Sequence, residues 1–223
     1  MRGLPFRRKL RDTFTNIIFQ GFLKLPAVSF PRTFSALIVQ LFVLCVGLAF
    51  AADAISAKLE GIDLQGKSIN LIQPGSGEVT VLIFVRTDCP ISSRYAPTLQ
   101  KIAAEHAGKA KFWLVYPDKS ESAAGIKQYL HDYKYKDFSA VRDPQHALVK
   151  TAQARITPEA AVFDKNSRLI YHGRIDNWYQ SFGHARSAPT TNELDAAIQA
   201  AIAGKPAPVA QARAVGCYIS DVQ

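Results

Sequence analysis

The sequence predicts an α/β domain built on a mixed central sheet, with helices on both faces. Three observations carry this. Residues 79–85 (VTVLIFV) and 112–116 (FWLVY) are apolar runs too short for helices and bounded by turn residues, the pattern of strands buried on both faces. Helix-period segments follow each run. Late in the chain, residues 161–164 and 168–172 read as two strands joined at Lys165-Asn166-Ser167, a hairpin. The order β-α-β-α-β-α, hairpin, helix puts parallel strands first and the antiparallel pair last.

The elements follow in chain order. Leu64-Gln65-Gly66-Lys67 reads as a turn into a strand at 68–72, and Pro74-Gly75-Ser76-Gly77 as a loop before the first buried strand. That strand stops at Arg86-Thr87-Asp88-Cys89-Pro90. Over 92–106, Leu99, Ile102 and Ala103 recur at helical spacing. After the second buried strand, Ser120-Glu121 opens a helix to about Tyr133, with Ile126 and Leu130 on one face. Residues 138–141 form a short strand, and Asp143-Pro144 leads a helical stretch to about Ala154. Ile156-Thr157-Pro158 precedes the hairpin. Residues 191–203 form an Ala-rich helix ending at Gly204. No internal repeat is found.

Composition narrows the function classes. At 48% hydrophobic and 20% charged residues the chain is globular rather than disordered. The net charge of +9 is concentrated at the start. Residues 1–51 hold seven basic side chains against one acid, leaving 20 basic and 17 acidic residues in the remainder. That remainder shows no basic stripe interleaved with aromatics, so no nucleic-acid partner is expected. Residues 36–52 form a run polar only at Gln40, preceded by basic residues and ending in Ala49-Phe50-Ala51, a small-x-small cleavage pattern. Residues 1–52 therefore read as a signal peptide or a membrane anchor, the run being near the shortest length that spans a bilayer. Cys45 has no small residue before it, which argues against a lipoprotein. Either reading sends the rest of the chain out of the cytoplasm, to a periplasmic or other extracytoplasmic space where disulfides persist. Membrane contact is expected only through the leader.

Cys89 is the chemical centre. It follows a buried strand and precedes a helix whose first position suits Pro90, which lacks an N–H. A sulfur there faces unpaired helical N–H groups and the positive end of the helix dipole, both of which favour thiolate. The bland alternative is a small buried hydrophobe; the charged and polar neighbours argue against it.

The stretch FVRTDCPISSRYAPTL resembles the active-site segment of TlpA/ResA-type thiol–disulfide oxidoreductases and the wider AhpC/TSA redoxin group. In that pattern a strand leads to Cys-x-x-Cys, with a proline eight residues after the first cysteine; Cys89 and Pro97 hold those places. Ile156-Thr157-Pro158, followed by Ala161-Val162-Phe163-Asp164, looks like the family's cis-proline loop. The resemblance covers about residues 58–204. It implies a thioredoxin-like three-layer α/β/α sandwich over 53–204, followed by a tail, 205–223. It also implies a redox activity that needs no organic cofactor, with protein thiols or disulfides, or peroxide, as substrates and a thiol protein as reductant. Pro90, Thr157 and Pro158 are the implied substrate-binding residues. A cis Pro158 would leave the 156–157 backbone free to pair with an extended peptide beside the sulfur.

The sequence departs from the pattern at Ser92, which replaces the second cysteine. A Cys-x-x-Ser site forms a mixed disulfide but cannot resolve it locally. The peroxiredoxin motif Pro-x-x-x-Thr-x-x-Cys is also broken, with Leu82 and Arg86 at its proline and threonine places. Cys217 is the other cysteine beyond the leader. The Pro-rich chain from Gly204 to Cys217, extended at about 3.1 Å per residue, reaches roughly 40 Å. The combination of Cys-Pro-Ile-Ser, Tyr-Ala-Pro and a C-terminal Gly-Cys resembles one bacterial redoxin subgroup. Cys217 then either resolves the intermediate formed at Cys89 or clips the tail without turnover.

Other candidates are weighed beside these. A peroxidase is the nearest enzymatic rival. Copper-delivering proteins of the same fold pair cysteines with a distant histidine, making Cys89, Cys217 and His172 a possible Cu(I) set, although no resident metal is expected. A redox-silent interaction module is a third possibility. Arg155 and Arg174 could stabilise a thiolate but read better as solvated cations. Asp176, Trp178 and Tyr179 form an acidic and aromatic cluster that caps the sheet edge or contacts a partner. The other histidines show no ligand spacing.

Overall fold

The computed structural model describes residues 58–72 and 77–220. The leader with its cleavage pattern lies outside them, as does most of the 74–77 loop. The strands are β1 (Glu60–Ile62), β2 (Ser68–Asn70), β3 (Val79–Phe84), β4 (Ala110–Tyr116), β5 (Phe138–Arg142), β6 (Ile156–Thr157), β7 (Glu159–Phe163), β8 (Leu169–Gly173), β9 (Tyr179–Ser181), β10 (His184–Ala185), β11 (Gln211–Ala212) and β12 (Cys217–Tyr218). The helices are α1 (Pro90–Arg94), α2 (Ala96–Glu105), α3 (Ala123–Asp132), α4 (Ala147–Ala152) and α5 (Glu193–Ile202).

Eight strands form one mixed sheet in the order β11-β8-β7-β3-β4-β5-β1-β2. β3, β4 and β5 run parallel, and β7 pairs antiparallel with both β3 and β8. β3 is buried along its whole length, as expected of a strand covered on both faces. Its alternation sorts the two cores. Val79, Val81 and Ile83 face a cluster with Leu99 and Ile102 of α2, Ile126 of α3 and Leu194 and Ile198 of α5. Leu82 and Phe84 face the other side, with Leu148 and Val149 of α4 and Leu59 and Leu71 of the first hairpin. Each such aliphatic side chain stabilises the fold by about 1.5–3 kcal/mol when taken from water. The arrangement is thioredoxin-like: a large mixed sheet flanked by helices on both faces.

Three differences from the sequence reading have local causes. The helix expected over 92–106 is two helices, broken at Tyr95, because Pro97 lacks the N–H that would continue the i→i−4 ladder. The stretch after Asp143 turns helical only at Ala147, where the buried Asp143 carboxylate accepts from the N–H groups of Ala147 (2.8 Å) and Val149 (2.9 Å). The hairpin strand over 68–72 is Ser68–Asn70, paired with the unforeseen β1, which joins β5 antiparallel. An antiparallel hairpin thus also comes first in the chain.

The tail is woven into the domain. β11 runs parallel to β8 at the sheet edge. Gly173 makes room for it: its φ is +144°, and a Cβ there would lie 2.1 Å from the Ala212 carbonyl oxygen. The chain then crosses to β12, which pairs antiparallel with β6 through Cys217↔Thr157 and Tyr218↔Ile156. Ile219 anchors the far end in the second core, its N–H donating to the Arg155 carbonyl (3.0 Å).

Candidate functional site

Cys89 sits where β3 ends and α1 begins, in the N-cap position, with extended backbone (φ −87°, ψ 111°) and Pro90 next. Its side chain caps nothing, so the sulfur is left for other partners. The thiol is buried, 1% exposed. Two groups meet it. Its Sγ donates to the Thr157 carbonyl oxygen at 3.2 Å, and the Cys217 thiol donates to its Sγ at 2.8 Å. Both cysteines are free thiols, and that separation exceeds the roughly 2.05 Å of a disulfide bond.

The two thiols are driven apart in acidity. Burial works against ionisation of Cys89. The Cys217 hydrogen bond, the Ser92 N–H and hydroxyl and the Ile91 N–H outweigh it, and its pKa falls below the ordinary thiol value. Cys217 moves the opposite way, to about 12, through burial and through its bond to, and the charge of, Cys89. The proximity of the two sulfurs explains the split: ionising the first makes the second harder to ionise. Cys89 is the more acidic thiol of the pair.

Thr157 joins the two cysteines. It is fully buried; its carbonyl accepts from Cys89, and its Oγ1 donates to the Cys217 carbonyl at 3.3 Å. The Thr157–Pro158 peptide is cis. The 156–157 backbone expected to be open for a substrate peptide is instead paired with the chain's own Cys217–Tyr218. Gly216 permits this approach, since a Cβ there would stand 2.0 Å from the Thr157 carbonyl oxygen. Ser92, in the place of the second cysteine, is fully buried, and its Oγ has no hydrogen-bond partner among the described residues. A hydroxyl there offers a donor to the thiolate.

The surroundings hold two residues to which the sequence reading gave no part in the site. Arg86 bonds Asp88 (2.8 Å) and pairs with Asp118 (3.3 Å), and its charge reaches Cys217, opposing the rise of that thiol's pKa. Glu121 accepts from the Thr87 N–H at 2.6 Å, holding the strand end just before Cys89. Its other oxygen is buried without a partner, and burial raises its pKa. Glu121 lies 32 residues beyond Cys89, and nothing in the sequence links the two.

The other candidates resolve differently. Asp176 is buried and accepts from the Tyr95 hydroxyl at 2.6 Å and from the Trp178 N–H at 2.8 Å. Trp178 and Tyr179 pack on the Tyr95 ring, tying the loop to the α1–α2 junction. Arg174 is not a free cation, being paired with Glu193. The Arg155 side chain is exposed. His172 does not face water; its Nδ1 lies 3.6 Å from Glu159. Among the described residues no group of three or more His, Cys, Asp or Glu side chains is placed to hold a metal, so the set Cys89, Cys217 and His172 is not assembled as a copper site. No helix among the described residues is long and apolar enough to cross a membrane.

No curated protein matches the chain. Among solved structures, a hypothetical protein from Sinorhizobium meliloti 1021 is similar at a TM-score of 0.62 with 22% identity, covering 74% of this chain and 91% of that one. An uncharacterized conserved protein from Geobacillus kaustophilus is similar at a TM-score of 0.63 with 22% identity, covering 74% and 88%. These two likenesses carry the fold. The sequence pattern of the family described as Redoxin matches residues 45–178, more than half of the chain and including Cys89 and the cis-proline loop. The chain belongs to the Redoxin family.

Proposed function

We propose that this protein is a thiol–disulfide oxidoreductase in which Cys89 is the nucleophile and Cys217 its resolving partner. The observation that carries the reading is the 2.8 Å approach of the two sulfurs, made by a tail hydrogen-bonded to the cis-proline loop. The Cys89 thiolate attacks a disulfide of the substrate protein, forming a mixed disulfide and releasing one substrate thiolate. Cys217, losing its proton, attacks the Cys89 sulfur; the second substrate thiolate leaves and a Cys89–Cys217 disulfide closes. Two electrons pass from the pair to the substrate. Thr157 and Pro158 form the wall beside the sulfur, and Pro90 starts the helix that supports the thiolate.

The leader, residues 1–52, belongs to the same proposal, as signal peptide or anchor of a domain acting outside the cytoplasm, where such a disulfide persists. Thiol titration with and without reductant, together with intact mass, tests the reading. The oxidised protein is expected to show no free thiol at Cys89 or Cys217, a mass lower by two hydrogens and reversal by dithiol. Two titratable thiols after mild oxidation would sink it. Rapid sulfenate formation at Cys89 with peroxide, and no mixed disulfide with a disulfide substrate, would move the assignment to a peroxidase.

A further inference from the structure

The Cys89 sulfur is closed off, whereas Cys217 is half-buried and lines a groove of about 810 Å³ between the β9–β10 hairpin and the tail. That volume falls in the roughly 300–1,000 Å³ range of small-molecule sites. The lining includes Arg186 and Arg213, both exposed, with Phe182 and Tyr218 as large exposed aromatics. Arg174 also lines it but is neutralised by Glu193. Arg186 donates from Nε to the Asn177 carbonyl, and neither it nor Arg213 has a carboxylate partner among the described residues. Among the described residues no acidic side chain lines the groove. A cavity with two uncompensated guanidinium groups beside a reactive sulfur selects an anion.

We propose that this groove binds a small carboxylate-bearing thiol, which reduces the closed pair by attacking Cys217 rather than Cys89. The inference rests on the reading of Cys89 and Cys217 as a redox couple and adds its reductant. The incoming thiolate forms a bond to the Cys217 sulfur and the Cys89–Cys217 bond breaks, its electron pair leaving on Cys89. Cys89 is the better leaving group, because the helix start and Ser92 hold its thiolate. A second small thiolate then attacks the mixed disulfide, releasing the small-molecule disulfide and leaving Cys217 to take up a proton. Two small thiols are oxidised and one protein disulfide is reduced.

The test uses the full chain, oxidised with diamide, and follows its reduction by 3-mercaptopropionate, 2-mercaptoethanol and cysteamine. Rates are compared per thiolate and corrected for thiol basicity. The anionic thiol is expected to react about fivefold faster than the neutral one, the cationic thiol slowest, with the spread collapsing in molar salt. R186E/R213E is expected to invert the order of the three rates. Peptide mapping of the acid-quenched intermediate is expected to find the adduct on Cys217. An adduct on Cys89, or rates ordered by basicity alone in both proteins, overturns the inference and leaves the redox couple standing. So does exclusive reduction by a thiol protein. Failure of diamide to close the disulfide overturns the couple and the inference with it.

Discussion

Removing the thiol of Cys217 tests whether it stabilises the Cys89 thiolate. In Cys217→Ala the β12 backbone can still pair with β6, so the burial of Cys89 is kept and only the sulfur-to-sulfur hydrogen bond is lost. A hydrogen bond to a charged acceptor is worth about 1.5–3 kcal/mol, and a thiol, being a weak donor, belongs at the lower end. About 1.4 kcal/mol is tenfold in an equilibrium, so the Cys89 ionisation equilibrium shifts about tenfold toward the thiol. The remaining thiolate is more basic and so more nucleophilic, which returns about threefold at a Brønsted slope near 0.5. The net expectation is alkylation of Cys89 about threefold slower on the rising limb of its pH profile, with a rate that levels off at higher pH than in the parent. Cys217→Ser keeps a donor and is expected to stay near the parent profile. The assay is the pH dependence of iodoacetamide labelling of Cys89, read by peptide mass. A Cys217→Ala profile that coincides with that of Cys217→Ser, or shifts to lower pH, refutes the hydrogen-bond argument.

Three further outcomes follow from the packing. Gly216→Ala drives a methyl into the Thr157 carbonyl, and overpacking of this kind costs about 1–3 kcal/mol; β12 is expected to lift from β6, with faster labelling of Cys89 and slower disulfide closure. Tyr95→Phe removes a buried donor from Asp176, with an expected loss of about 1–3 kcal/mol in urea unfolding and a loosened 176–179 loop. Glu121 has a folded-state pKa raised by burial, so its stabilising contribution is complete below the unfolded value of about 4.3 and is lost as pH rises through the folded value. Glu121→Gln keeps an acceptor for Thr87 and is expected to flatten that decline, the urea midpoints of the two proteins separating as pH rises from 4 to 7.

The parts of this fold written as runs of neighbours were legible. β3 and β4 announce themselves as unbroken apolar runs because both faces are buried, and the hairpin of β7 and β8 through its turn residues. The place of Cys89 was legible because a strand, a proline and a helix stand around it in immediate succession. What sequence could not supply is pairing between distant short segments. β11 and β12 have two residues each and carry no periodicity; their places come from Gly173 and Gly216, whose missing side chains admit another strand. Glu121 is equally silent, because a carboxylate in a polar loop has no pattern that says which N–H it will meet. Tyr95 reads as one more helix residue until Asp176 and Trp178 are brought against it.

The replacement of a helix-borne second cysteine by Ser92 changes what controls the site. In a Cys-x-x-Cys helix both sulfurs are held by one turn of backbone and stay adjacent whatever the rest of the chain does. Here adjacency depends on β12 remaining paired to β6, and two residues of ladder are a weak hold beside the core strands. Local opening of such segments costs far less than global unfolding. The same motion that separates Cys217 from Cys89 also uncovers the 156–157 backbone, the edge the tail now occupies. Opening therefore does two things at once: it exposes the Cys89 sulfur and vacates the strand position beside it. On the proposed mechanism a substrate with an extended segment takes the place the tail leaves, and return of the tail brings back the thiol assigned to resolution. On this geometry the tail acts as a competing strand as well as a carrier of the second sulfur, so its stability on β6 sets both access to Cys89 and the speed of closure.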